Sequence, residues 1–181
     1  MTNSESEIKM FEAYKPIDGA NERGVYLAGP SGFSDSGLLW HNTVLMPKVV
    51  AAGLIAVDPW DDQSAIAEIM GRLPWGEERR NELVVANLIQ GRQDLAMVDS
   101  AAGMLACLDG QDVDSGTALE IGYAHKGGKL IVGLRTDIRI SSDNEGSQVN
   151  LMIETCALDS GGIITSSVDE AVEFLASKLV N

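Results

Sequence analysis

Short apolar runs alternate with longer amphipathic stretches along this chain, which is the pattern of a parallel α/β sheet. Val25 to Gly29 predicts a first strand, closed by a Gly-Pro-Ser-Gly loop. Leu38 to Ala52 reads as a helix that Pro47 should kink or shorten, because proline has no N–H and crowds the preceding turn. Leu54 to Val57 predicts a second strand, stopped by Asp58-Pro59-Trp60-Asp61. From Asp62 to Glu77, with Pro74, Trp75 and several small residues, a short helix plus an irregular lid is expected. Glu78 to Asp99 is strongly helical, with Leu83, Ala86, Leu88 (or Ile89) and Leu95 at helical spacing.

Met104 to Leu108 and Leu130 to Leu134 predict the third and fourth strands. Between them lies a helix from Ser115 to Lys126, capped by Ser115 or Asp114. Arg139 to Gly146 reads as polar loop and Gly162 to Thr165 as a short fifth strand. Ser167 and Glu170 form the signature of a capping box that opens the last helix. The expected architecture is a doubly wound five-stranded parallel sheet, a flavodoxin-like or Rossmann-like three-layer sandwich. It forms a single domain over residues 24–181, behind a polar, loosely ordered leader over 1–23. Ligands of such sheets sit beyond the carboxyl ends of the strands, which directs attention to residues 28–37, 58–63, 108–117 and 134–150.

Composition sharpens this picture mainly by exclusion. A chain of 181 residues with 45% hydrophobic and 22% charged residues has the balance of one ordinary globular domain. Its net charge of −14 argues against a nucleic-acid partner, since a polyanion is held by clustered Lys and Arg. A small neutral ligand meets no such objection. The longest apolar stretches are strand-sized, so no membrane span is expected. Cys107 and Cys156 lack CxxC spacing and no signal peptide is evident, so reduced thiols in a cytoplasmic protein are expected.

The segment from Asp109 to Ala124 carries the densest candidate chemistry: a strand end, three aspartates (Asp109, Asp112, Asp114), then a helix. Asp114 lies at the helix N-terminus, where the dipole favours a carboxylate. Glu120 stands among Ala118, Leu119, Ile121 and Gly122 in the apolar part of that helix. A carboxylate there is a solvated surface residue or a buried functional one, and the surface reading is the commoner. Small neighbours, with Gly116 and Gly122 weakening the helix without structural return, weigh toward function. The first loop, with Gly29, lets backbone approach a ligand but lacks both GxGxxG and the phosphate-loop pattern.

Four blocks resemble one family in order and spacing. They are Val25 to Pro30, Gln93-Asp94-Leu95, Asp114 to Ala124, and Asn150-Leu151-Met152. Together they look like the nucleoside 2-deoxyribosyltransferases. That resemblance implies Glu120 as the nucleophile that attacks C1′, with Tyr26 hydrogen-bonded to it and Asp94 at the departing base. It implies Asp114 at the sugar hydroxyls, and Asn150, with Met152 beside it, reaching the 5′-hydroxyl from a neighbouring subunit of a homo-oligomer. Pro59 to Gln63 resembles the base-recognition loop, which makes Gln63 a base contact; Gly29 and Gly116 are expected to border the ligand. The implied partners are a deoxynucleoside and a free nucleobase, with no cofactor or metal.

Related hydrolases act on deoxynucleoside 5′-monophosphates and grip the phosphate with a Ser-x-Arg-Gly-Gly-like loop. This chain has Gly29-Pro30-Ser31-Gly32-Phe33 there, with no Arg, which favours a free 5′-hydroxyl. Transfer to a second base is the leading expectation. Hydrolysis, with water as acceptor, is the first alternative and a non-catalytic nucleoside-binding module the second. Ordinary roles also exist for individual residues: Asn150 as a helix cap, Met152 as core, Asp94 as a surface charge. His41 and His125 read as surface residues, the three tryptophans as mostly buried, and Ser31 and Ser34 as ST-turn residues as readily as ligand contacts.

Overall fold

The computed structural model describes residues 18, 20–61 and 63–180. Its five strands are β1 (Gly24–Ala28), β2 (Ile55–Val57), β3 (Gly103–Cys107), β4 (Leu130–Leu134) and β5 (Ile164–Thr165). All pair in parallel, in the order β2-β1-β3-β4-β5. This is the flavodoxin-like order of the expected doubly wound sheet, and its crevice opens where β1 and β3 lie side by side.

Strand residues alternate between faces, so the sheet feeds two separate cores. Tyr26, Met104, Ala106 and Ile131 point to one face, where they meet Met97 and Val98 of α4 (Glu77–Ser100), Ile121 of α5 (Ser115–Lys126) and Ile153 of α6 (Leu151–Asp159). Val25, Leu27, Leu105 and Val132 point to the other, against Leu45 and Val49 of α2 (residues 35–51) and Leu175 of α7 (Val168–Leu179). The near-continuous burial of β1 and β3 is what a sheet covered on both faces requires.

Helix α2 runs over residues 35–51 and is not regular throughout. Asp35–Trp40 is α-helical, His41–Leu45 is a π-helical turn, and Met46–Ala51 resumes the α-helix with Pro47 in its first turn. The expected effect of Pro47 takes this form because its ring crowds the carbonyl four residues back. The wider turn, in which the Met46 N–H bonds the His41 carbonyl, makes room for it. Two shorter helices, α1 (Ala20–Arg23) and α3 (Ser64–Arg72), complete the set. Residues 73–76 after α3 are irregular, as the expected helix-plus-lid required.

Several expectations need correction. The leader expected over 1–23 lies mostly outside the described residues, but Ala20–Arg23 is helical and packs beside β1 and β2. Strand β5 begins two residues late: the Gly162 N–H still bonds the Ala157 carbonyl at the exit of α6. On α4, Leu88 and Leu95 are 57% and 37% exposed, since its core face is set by Ala86, Met97 and Val98. Of the two cap candidates for α5, the structure selects Asp114. Ser167 caps α7, but the capping box is half made, because the Glu170 carboxylate takes the Thr165 hydroxyl instead of the cap N–H. Among the described residues no helix is long and apolar enough to cross a membrane, and both cysteines are free.

Candidate active site

The carboxyl end of β1 delivers two features to the crevice. Tyr26, fully buried, projects under α5, and Gly29 turns the chain with φ +153° as it crosses the end of β3. A Cβ at Gly29 would come within 2.8 Å of Cys107 Cβ, so both the dihedral and the close approach demand glycine. Opposite, α5 starts at Asp114, whose Oδ2 accepts from the Thr117 N–H at 3.0 Å. Glu120 follows about a turn and a half further on, on the side facing Tyr26. The Tyr26 hydroxyl donates to Glu120 Oε1 at 2.6 Å.

Helix α4 supplies the third wall. Gln90 and Asp94 lie four residues apart on one helix face, and Gln90 Nε2 donates to Asp94 Oδ1 at 2.9 Å. The loop after β2 closes the cavity with Pro59, Trp60 and Gln63. The space they enclose with Gly29, Asp114, Gly116 and Glu120 is about 250 Å³, just below the usual range for small-molecule sites.

Burial acts on Glu120, Asp94 and Tyr26. It pushes the Glu120 carboxyl up to about 7; the Tyr26 hydrogen bond opposes that shift, while Asp94 and Asp114 add to it. Asp94 is also raised by burial, with the Gln90 amide pulling the other way. Tyr26 is raised far above the usual phenol range by burial and by the carboxylate it serves, so it stays a proton donor. The site therefore holds a carboxylate poised near neutrality beside an acid that resists ionisation. Among the described residues no group of three or more His, Cys, Asp or Glu is arranged to hold a metal ion.

Six of the expected residues line this cavity: Gly29, Gln63, Asp94, Asp114, Gly116 and Glu120, with Tyr26 bonded to the last. Asn150 and Met152 do not. Asn150 caps α6, its Oδ1 accepting from the Met152 N–H at 3.0 Å, and Met152 is 65% exposed and so not core. Both border a separate cavity of about 390 Å³ between α5 and α6. Three lining residues escaped sequence reasoning: Phe33, Gln90 and Thr117. For Gln90 the signal was its position one turn before Asp94.

His41 is not the surface residue expected. It is buried, and its Nε2 lies 2.6 Å from Asp58 Oδ2. Trp75 departs in the opposite sense, being 87% exposed with the Arg79 guanidinium 4.9 Å from its ring centroid. The strand-end loops carry a further unforeseen device. Buried Arg135 donates to the carbonyls of Leu108, Gly110 and Arg139, tying the loop after β3 to the loop after β4.

Fold and site together define a class: a doubly wound α/β domain with carboxylates gathered at the β1/β3 crevice around a tyrosine-bound glutamate. Residues 25–152 match the nucleoside 2-deoxyribosyltransferase family, and the chain belongs to that family. An uncharacterized protein of Schizosaccharomyces pombe is 32% identical over 120 residues, which is 64% of this chain and 51% of that protein. The chain thus spans about half the length of this curated relative.

Solved structures share the fold. The 2-desoxiribosyltransferase from Leishmania mexicana aligns with a TM-score of 0.57 at 22% identity, covering 86% of this chain and 97% of that one. A 2-deoxyribosyltransferase from Bacillus psychrosaccharolyticus aligns with a TM-score of 0.53 at 24% identity, covering 83% and 90%.

Proposed function

We propose that this protein breaks the N-glycosidic bond of a deoxynucleoside, holds the sugar as an ester on Glu120, and passes it to a second nucleobase. The observation that carries this reading is the Tyr26–Glu120 hydrogen bond of 2.6 Å inside a cavity that also presents Asp94. In the first half-reaction a Glu120 oxygen attacks C1′ as the C1′–N bond breaks, and Asp94 gives its proton to the departing base nitrogen. In the second, a nitrogen of the incoming base attacks C1′, the ester C–O bond breaks, and Asp94 takes up the proton that base releases. Tyr26 holds Glu120 in place and stabilises it as the anion. Asp114 receives the sugar hydroxyls, and Gln63 faces the base edge. The resemblance of these blocks to the family supports each role, and the geometry supports them by gathering the groups in one space.

The walls of the cavity favour an unphosphorylated substrate. Its described lining carries three carboxylates, Asp94, Asp114 and Glu120, and no Lys or Arg. A phosphate dianion entering there meets repulsion with no cation to offset it. Asn150 and Met152, which border the other cavity and not this one, are assigned to the site of a neighbouring copy, so the active form is a homo-oligomer.

The test is product analysis after incubation with deoxyinosine and free adenine. New deoxyadenosine is the expected result. Hypoxanthine with free deoxyribose and no deoxyadenosine would replace transfer by hydrolysis, and unchanged substrate would overturn both.

A further inference from the structure

The mechanism above makes no use of the buried pair His41 and Asp58, which are 2% and 3% exposed. Burying an imidazole beside a carboxylate is costly unless its polar atoms are used, and here His41 Nε2 and both Asp58 oxygens are used directionally. Asp58 Oδ2 meets His41 Nε2 at 2.6 Å, while Asp58 Oδ1 accepts from the Trp60 backbone N–H at 3.0 Å. The Trp60 indole N–H then donates to the Gly29 carbonyl at 3.3 Å. Its ring lies over Gly32 so closely that a Cβ there would fall 1.9 Å from the ring, and Phe33 meets it edge-on at 4.9 Å. Gly29, Phe33 and Trp60 all line the cavity.

A chain of contacts therefore runs from the π-helical turn, through two buried side chains, to the aromatic wall where the first loop and the loop after β2 meet. The π turn widens α2 where His41 leaves it, which links the irregularity imposed by Pro47 to the position of that wall.

We propose that His41 and Asp58 are positioning residues that clamp Trp60 onto the first loop and so set the width of the slot that receives the leaving base. This rests on the nucleoside reading for its substrate class, while the clamp itself can be observed without turnover. Neither residue touches the reacting atoms; both act through Trp60. The variant His41→Leu removes the partner of Asp58 and frees the loop. In His41→Gln the side-chain amide nitrogen reaches to a similar distance as Nε2 and can donate to Asp58 again. Trp60→Phe keeps a ring over Gly32 but lacks the indole N–H.

The experiment uses the full chain carrying Trp40→Phe and Trp75→Phe, so that Trp60 is its one tryptophan, and reads acrylamide quenching of its emission. His41→Leu is expected to raise the quenching constant at least about twofold and His41→Gln to restore it. Kinetics with deoxyinosine then supply the functional readout: KM rises roughly tenfold in His41→Leu, a change of one decade in apparent affinity, while kcat stays within a factor of about three. Trp60→Phe is expected to show the same KM shift, and it keeps the proposal testable should His41→Leu fail to fold. Unchanged quenching in His41→Leu would overturn the clamp. An equal fall in kcat with unchanged KM would overturn its role at the base slot. Altered quenching in a protein that turns over no deoxynucleoside would keep the clamp and remove the nucleoside reading instead.

Discussion

Glu120 occupies a helix position whose neighbours in sequence are apolar or small, and whose neighbour in space is a buried phenol. Its folded-state pKa of about 7 stands above the ordinary 4.5. Below about 4.5 the folded and unfolded chains both carry the proton. Between 4.5 and 7 the unfolded chain releases it while the folded chain retains it, so stability falls as pH rises through that window. Above 7 the full cost is present. Glu120→Gln, which keeps the acceptor for Tyr26, should therefore be more stable than the native protein at pH 8 by about 1–3 kcal/mol and nearly equal to it at pH 4.5; urea unfolding at the two values measures this. Catalysis runs the other way. On the proposed mechanism only the ionised carboxylate would attack, so kcat/KM should rise with pH through about 7. Tyr26→Phe removes a donor that favours the anion, and its pH–rate profile should show that limb displaced to higher pH. A limb left in place would detach Tyr26 from the nucleophile.

At the scale of elements, the sequence was legible wherever local rules decide. The span of α5 from Ser115 to Lys126 follows from a cap, a periodic face and a glycine stop, and the observed helix has those bounds. The same holds for the strand runs around Tyr26 and Leu105, whose apolar character survives in any doubly covered sheet. What stayed hidden is tertiary. Nothing adjacent to His41 in sequence reveals Asp58, and nothing adjacent to Arg135 reveals the Leu108 carbonyl. Phe33 and Trp60 become neighbours only when the loops after β1 and β2 fold over one another. The first loop makes that dependence measurable. A Cβ at Gly32 would enter the Trp60 ring, so Gly32→Ala must displace one loop or the other. A loss of about 1–3 kcal/mol in thermal or urea unfolding is expected, as for overpacking elsewhere, together with a raised KM. Native-like KM and stability would show that the two loops do not support each other.

At the scale of the whole molecule, the described cavity is walled by α4, α5 and the loops after β1 and β2, while Asn150 and Met152 stand at the start of α6 beside a different hollow. On the proposed function, a closed symmetric oligomer would resolve this by letting each copy complete its neighbour's site. Asn150 also caps α6, so Asn150→Ala should cost about 1 kcal/mol of stability whatever its role in turnover. Mixing separates the two roles. Glu120→Ala and Asn150→Ala are each expected to be inactive alone, but a mixed oligomer contains some sites with an intact Glu120 from one chain and an intact Asn150 from the other. Recovered deoxyribosyl transfer on mixing is the expected result, and a mixture as inactive as its components would confine Asn150 to capping.

The central claim, that the sugar rests on Glu120, is tested most directly by acid-quenching the protein during turnover of deoxyinosine and mapping its peptides by mass spectrometry. A deoxyribosyl ester on the peptide that contains Glu120, absent from Glu120→Ala, is the expected result. Undiminished turnover by Glu120→Ala, or an ester found on another residue, would contradict it.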